Sequence, residues 1–187
     1  LKFYRDEKEG KSMSTTVNTR RPEAGEYNAY YETYIGKIPE IDIVSVLRAQ
    51  RDSTLAFLSN LPADKIDHAY APEKWTLRQV FGHVLDMEWV FAGRAFHFAR
   101  AVPGDLPGVD QDDTMKVVDF AKIQWPAMLD QWRGLRSAGI AMFDSFDAAA
   151  WDRKGIASGN PVTVRALAYI IAGHERHHLG VIRERYL

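Results

Sequence analysis

The chain of 187 residues contains no cysteine. Disulfides, thiolate metal sites and a cysteine nucleophile are thereby excluded, and any bound metal must take nitrogen and oxygen ligands. An excess of charge of one sign is also missing. Lys and Arg number 24 against 25 Asp and Glu, for a net charge of −1. That balance offers nothing to nucleic acid or to an anionic membrane surface. No apolar run approaches the ~20 residues of a membrane-spanning helix. The N-terminus lacks the apolar core of a signal peptide, so a cytoplasmic location is expected. Met13 is a candidate start residue, with residues 1–12 then coming from upstream. Alternation of the kind that marks a β-strand is absent over any useful length.

What is present is apolar periodicity. Hydrophobic residues make up 46% of the chain and charged residues 26%, enough for one sizeable core. Residues 1–40 are polar and carry two prolines and a tyrosine cluster, Tyr27, Tyr30, Tyr31 and Tyr34. This reads as an arm. It can be ordered only if the tyrosines pack on the body or on a second subunit.

Four helical segments follow over residues 41–187. The first runs from about Ile41 to Leu61, with Ile43, Val44, Leu47, Leu55 and Leu58 as its apolar positions, and Pro62 ends it. The second opens at Thr76, where Thr76 and Gln79 have capping-box spacing, and runs to about Arg100. A loop with Pro103, Gly104, Pro107 and Gly108 comes next. The third helix is expected over about Asp113 to Phe146, bent at Pro126. Gly155, Gly159 and Pro161 mark another loop, and the fourth helix runs from near Thr163 to about Arg185. The fold class is therefore all-α: a four-helix bundle, with a second connection long enough to cross over.

The segment richest in chemistry is His174-Glu175-Arg176-His177-His178. His174 and His178 lie one turn apart on one helix face, and two imidazoles so placed can share a first-row metal ion. On a wheel of ~100° per residue both fall in the stripe defined by Leu167, Ile170, Ile171 and Val181, with His177 nearer its edge. The same string reads H-E-x-x-H, the zincin pattern, in which Glu175 would be the general base. Nine residues follow His178 and the only carboxylate among them is Glu184, so a third ligand is expected upstream. The blander reading is a pair of core histidines bonded to carboxylates of other helices.

His83 lies midway along the second helix, flanked by Val80, Val84 and Met87. It is either a satisfied core residue or the missing ligand. Asp86, about one turn on, could orient an imidazole or act on a bound water. Asp86 and Glu175 are the catalytic candidates. Glu88, His68, His97, Arg165 and Arg176 read as solvated. The five tryptophans read as core and rim.

Two stretches carry a family resemblance. Trp75-Thr76-Leu77-Arg78-Gln79-Val80-Phe81-Gly82-His83 opens the second helix, and Ala172-Gly173-His174-Glu175-Arg176-His177-His178-Leu179-Gly180 lies in the last. With the loop Pro107-Gly108-Val109-Asp110-Gln111-Asp112 and the tyrosine arm, they resemble the DinB superfamily of DinB-like and YfiT-like bundles over about residues 40–187. The resemblance implies a bundle with a crossover and a metal site of His83, His174 and His178. It implies zinc or nickel, with iron and manganese as further candidates. It also implies a small-molecule substrate, a low-molecular-weight thiol as possible cosubstrate, and a homodimer. Relatives with known activity include thiol S-transferases and a thiol-dependent isomerase. Thiol-transferase or hydrolase chemistry is the leading expectation. A non-catalytic, stress-associated metal- or ligand-binding bundle is the alternative, and a zincin-type peptidase a distant third.

Overall fold

The computed structural model describes residues 20–187. The expected start at Met13 and the first half of the arm lie outside the described residues. Helices α1 (Glu32–Ile35), α2 (Ile43–Ser59), α3 (Ala63–Ile66) and α4 (Leu77–Ala99) come first. Then follow α5 (Gln111–Val117), α6 (Trp125–Asp144), α7 (Ala148–Asp152), a hairpin of β1 (Lys154–Ala157) and β2 (Asn160–Thr163), and α8 (Val164–Arg185).

The four long helices, α2, α4, α6 and α8, form the bundle. Round its circumference the packed neighbours are α2 with α6, α6 with α4, α4 with α8, and α8 with α2. Helices consecutive in the chain, α2 and α4, therefore lie diagonally, which excludes a plain up-and-down order. The Thr76 hydroxyl accepts from the Gln79 amide while the Gln79 side chain accepts from the Thr76 amide, so the capping box opens α4 as its spacing predicts. Asp42 caps α2 and Thr163 caps α8. Among the described residues no helix is long and apolar enough to cross a membrane.

Two elements differ from the sequence reading. The expected third helix is broken: α5 stops at Val117, and α6 begins afresh with Pro126 in its first turn. Pro126 therefore starts a helix, where its missing N–H costs nothing, and does not bend one. The loop at Gly155–Pro161 is a hairpin. Ser158 and Gly159 both take positive φ, 52° and 73°, as a tight turn between antiparallel strands requires. Four-residue strands are too short for period-two patterning to register in the sequence.

Helix α8 is the axis of the molecule. From Val164 to Glu175 every residue is buried, so its first three turns have no solvent face. The arm explains much of this. Ile35 and Ile38 are fully buried, and α1 packs on α8. Arg176 donates to the Lys37 carbonyl at 2.6 Å, and Tyr169 donates to the carbonyls of Glu40 and Ile41, each at 2.9 Å. Of the arm tyrosines, Tyr34 is buried in the bundle core and Tyr27 and Tyr31 pack against it, whereas Tyr30 is exposed. Arg165, expected in solvent, is buried beside Glu26 and Asp152. His97 is half-buried, with its Nε2 atom out of contact with water.

Four polar side chains tie all four bundle helices together in the interior. Arg136 of α6 donates to both oxygens of Glu88 of α4, at 2.6 and 2.7 Å, and to Glu175 of α8 at 2.6 Å. Thr54 of α2 donates its hydroxyl to the other oxygen of Glu175. Glu88, which reads as a solvated helix-face charge in the sequence, is 4% exposed. A bidentate guanidinium partner is what makes its burial tolerable.

Candidate metal centre

The three histidines come from two helices that pack against each other along their length. His83 projects from α4, and His174 and His178 project from successive turns of α8. One ring nitrogen from each lies within 4.8 Å of those of the other two. The Nε2 atoms of His83 and His174 stand 3.1 Å apart. The ring centroids of His178 are 4.9 Å from His83 and 4.4 Å from His174. His177 lies outside this group.

Burial keeps all three rings neutral. It pushes His83 down to about 4, against a small upward pull from the Asp112 charge. It pushes His178 down to about 3, helped by the neighbouring His83 and His177 rings. His174 is driven well below its ordinary value, first by burial and then by the other three histidines. Neutral imidazoles are the form that binds metal.

The arrangement is incomplete as pure protein. Two Nε2 atoms face each other and can share only one proton, and the buried Nε2 of His178 has no hydrogen-bond partner. Leaving such a polar atom unsatisfied costs about 1–3 kcal/mol. A cation at the common focus would satisfy all three nitrogens, and an all-imidazole donor set suits a first-row divalent ion. The residues present therefore fit the metal that the sequence implies.

Aromatic rings hold the imidazoles in place. Tyr34 meets His174 edge-on at 5.1 Å, Phe91 meets it at 5.7 Å, and Trp75 lies 5.5 Å from His83. Two cavities open on the site. One, of about 300 Å³, reaches His83 and His174 between the arm and α5. The other, of about 330 Å³, reaches His177 and His178 beside Trp75 and Tyr186. Gln111 and Asp112, at the start of α5, border both.

The carboxylates singled out in the sequence sit elsewhere. Glu175 follows His174 directly and so points about 100° away from it. Both its oxygens are engaged, by Thr54 and Arg136, and it borders neither cavity. Asp86 is half-buried, and burial raises its carboxyl above the usual range. It too borders neither cavity and makes no hydrogen bond among the described residues. The acidic side chain nearest in effect to the histidines is Asp112, whose charge acts on His83. In the sequence Asp112 stands out only as part of a loop motif. No spacing rule connects residue 112 to positions 83 and 174.

The depressed values set a pH dependence for the metal-free protein. The unfolded histidines titrate near 6.5, whereas folded His83 and His178 titrate near 4 and 3. Between those limits the unfolded chain binds more protons, so this stability is complete above about pH 6.5 and is lost as pH falls. Urea midpoints of chelator-treated protein should drop steadily from pH 7 to pH 4.5, and His83→Leu should flatten the slope. A slope unchanged by that substitution would contradict a buried neutral His83.

Residues 47–182 match the family model described as the DinB superfamily. A solved structure described as YfiT from Bacillus subtilis, a probable metal-dependent hydrolase with an unusual four-helix bundle topology, superposes with a TM-score of 0.64. It shares 17% sequence identity, over 76% of this chain and 82% of that one. At that identity the likeness speaks for the fold. No curated protein matches the chain. With about three-quarters of its length matched by the family model, and the bundle order to go with it, the chain belongs to the DinB superfamily.

Proposed function

We propose that the protein is a metal-dependent enzyme that binds one divalent ion, zinc or nickel, through His83, His174 and His178, and carries out hydrolase or thiol-transferase chemistry on a small molecule. The observation that carries this reading is the convergence of three neutral imidazoles, one with a buried orphan nitrogen, beside a cavity. The description of YfiT as a probable metal-dependent hydrolase supports the hydrolytic form. The absence of cysteine means that a thiol nucleophile would have to come from a soluble cosubstrate.

A bound ion supplies Lewis acidity at the histidine focus. The chain itself does the rest. Trp75, Tyr34 and Phe91 fix the imidazoles and exclude water from their flanks. Gln111 and Asp112 offer polar groups to a molecule entering from either cavity. Glu175 and Asp86 are assigned no part in bond making. Glu175 serves the ionic cluster, which also speaks against a zincin mechanism, since that would need its carboxylate free. A homodimer belongs to the same reading. Trp89 and Phe96, exposed seven residues apart on one face of α4, are the surface it would cover.

Elemental analysis of purified protein tests the metal directly. About one equivalent of zinc or nickel is expected, together with a rise in melting temperature on adding metal to the chelated protein. His178→Ala should lose both. An unchanged thermal response in that variant would remove His178 from the ligand set. Consumption of a low-molecular-weight thiol with several electrophiles, assayed beside ester and amide hydrolysis, then separates the two chemistries.

A further inference from the structure

The cavity in front of His83 and His174 has aromatic rings on one side and acid on the other. The arm contributes Tyr30, Tyr31 and Tyr34, and α4 contributes Phe91. Three of the ring pairs stand nearly perpendicular, while Tyr31 and Tyr34 are tilted at 45° and 6.4 Å. Tyr30 meets Tyr31 at 73° and 5.5 Å, Tyr30 meets Tyr34 at 85° and 6.0 Å, and Tyr31 meets Phe91 at 83° and 6.2 Å. Asp110 and Asp112, at the start of α5, add two carboxylates. One oxygen of Asp110 caps α5 by accepting from the amides of Asp112 and Asp113. Among the described residues neither aspartate has a salt-bridge partner, and no Lys or Arg lines the cavity. The chain as a whole carries nearly equal numbers of the two signs, so this asymmetry is local.

Walls of electron-rich rings set at steep angles, with nearby carboxylates and no basic side chain, are the chemistry that recognises an alkylated ammonium group. The ring faces attract the diffuse positive charge, and the methyl groups gain apolar contact. Anionic ligands are disfavoured by the same two aspartates. A dication on three neutral imidazoles would carry its full charge at the inner end, and the two carboxylates offset it. The cavity is of small-molecule size.

We propose that this cavity binds an organic cation, its alkylated ammonium group held between the arm tyrosines, Phe91 and the two aspartates, with its other end directed at the histidines. The direction of that other end rests on the metal-enzyme reading above; recognition of the cation does not. The arm is then part of the binding site, and its tyrosines determine specificity.

Calorimetric titration of the full chain tests this, with choline as the probe and its uncharged tert-butyl isostere, carbon in place of nitrogen, as the control. Both the zinc-loaded and the chelator-treated protein are titrated. Choline should bind both, and at least about tenfold more tightly than the isostere. Tyr31→Ala and Asp112→Asn should each weaken choline binding severalfold. Asp112 is exposed, so its substitution leaves the fold intact and the test stands even if Tyr31→Ala disturbs the arm. Equal affinity for the two probes, or no choline binding by protein that takes up zinc, would overturn the proposal. Choline binding by protein that takes up no metal would sustain it while sinking the metal-enzyme reading.

Discussion

Replacing Arg136 by Met should destabilise the protein by about 3–5 kcal/mol, the usual cost of removing one partner from a buried ionic cluster. Arg136 is 1% exposed and is the guanidinium that both Glu88 and Glu175 face. Without it, two carboxylates lie close together inside the bundle with only the Thr54 hydroxyl left to one of them. Burial already raises Glu175 above its ordinary value, although Arg136 and Thr54 pull against that shift. Removing the larger pull should leave at least one carboxylate protonated, or unfold the chain. Chemical denaturation checks the loss. A triple replacement of Arg136, Glu88 and Glu175 by apolar residues of similar volume should recover most of it, because the penalty lies in the orphaned charges and not in the absence of the cluster. A single substitution costing under about 1 kcal/mol would mean that water reaches the cluster.

This cluster shows where a sequence stops being informative. The approximate limits of α2, α4 and α8, the capping box and the histidine spacing are local properties, and each is legible in the string itself. His174 and His178 announce themselves because they share a helix face. His83 needed the family resemblance to be joined to them, since ninety residues separate it from His174 and periodicity says nothing across that gap. Glu88 reads as a solvated position because a helix wheel assumes one buried face, and nothing in the sequence singles out Arg136 as its partner. In this fold the first three turns of α8 are enclosed on every side by the bundle and the arm, and charge is carried inward in matched groups. The break at Val117 is hidden in the sequence for a different reason. Apolar residues recur at plausible spacing through the gap, and Pro126 is as compatible with a helix start as with a kink.

The arm's docking depends on a residue that reads in the sequence only as part of a motif. A Cβ atom built on Gly173 would lie 2.1 Å from the Tyr34 carbonyl oxygen and 2.5 Å from its carbonyl carbon. These are backbone atoms, so no side-chain rotation relieves the clash. Gly173→Ala gains up to about 1 kcal/mol of helix propensity in α8. Against this, the arm must move by more than an ångström. Ile35 and Ile38 would then leave the core, at about 1.5–3 kcal/mol each. A net loss of about 3 kcal/mol is expected, with the arm newly open to proteolysis between Tyr27 and Ile41. Because Tyr34 braces His174 and lines the cavity, the same substitution should loosen both the histidine cluster and any ligand held by the tyrosines. Limited proteolysis alongside thermal unfolding distinguishes the outcomes. A stabilised protein with a protected arm would show that α1 does not close on Gly173, and the tyrosines would then lose their place as a wall of the site. A loss of stability with the arm still protected would put the strain in α8 itself, and metal content would show whether His174 moves with it.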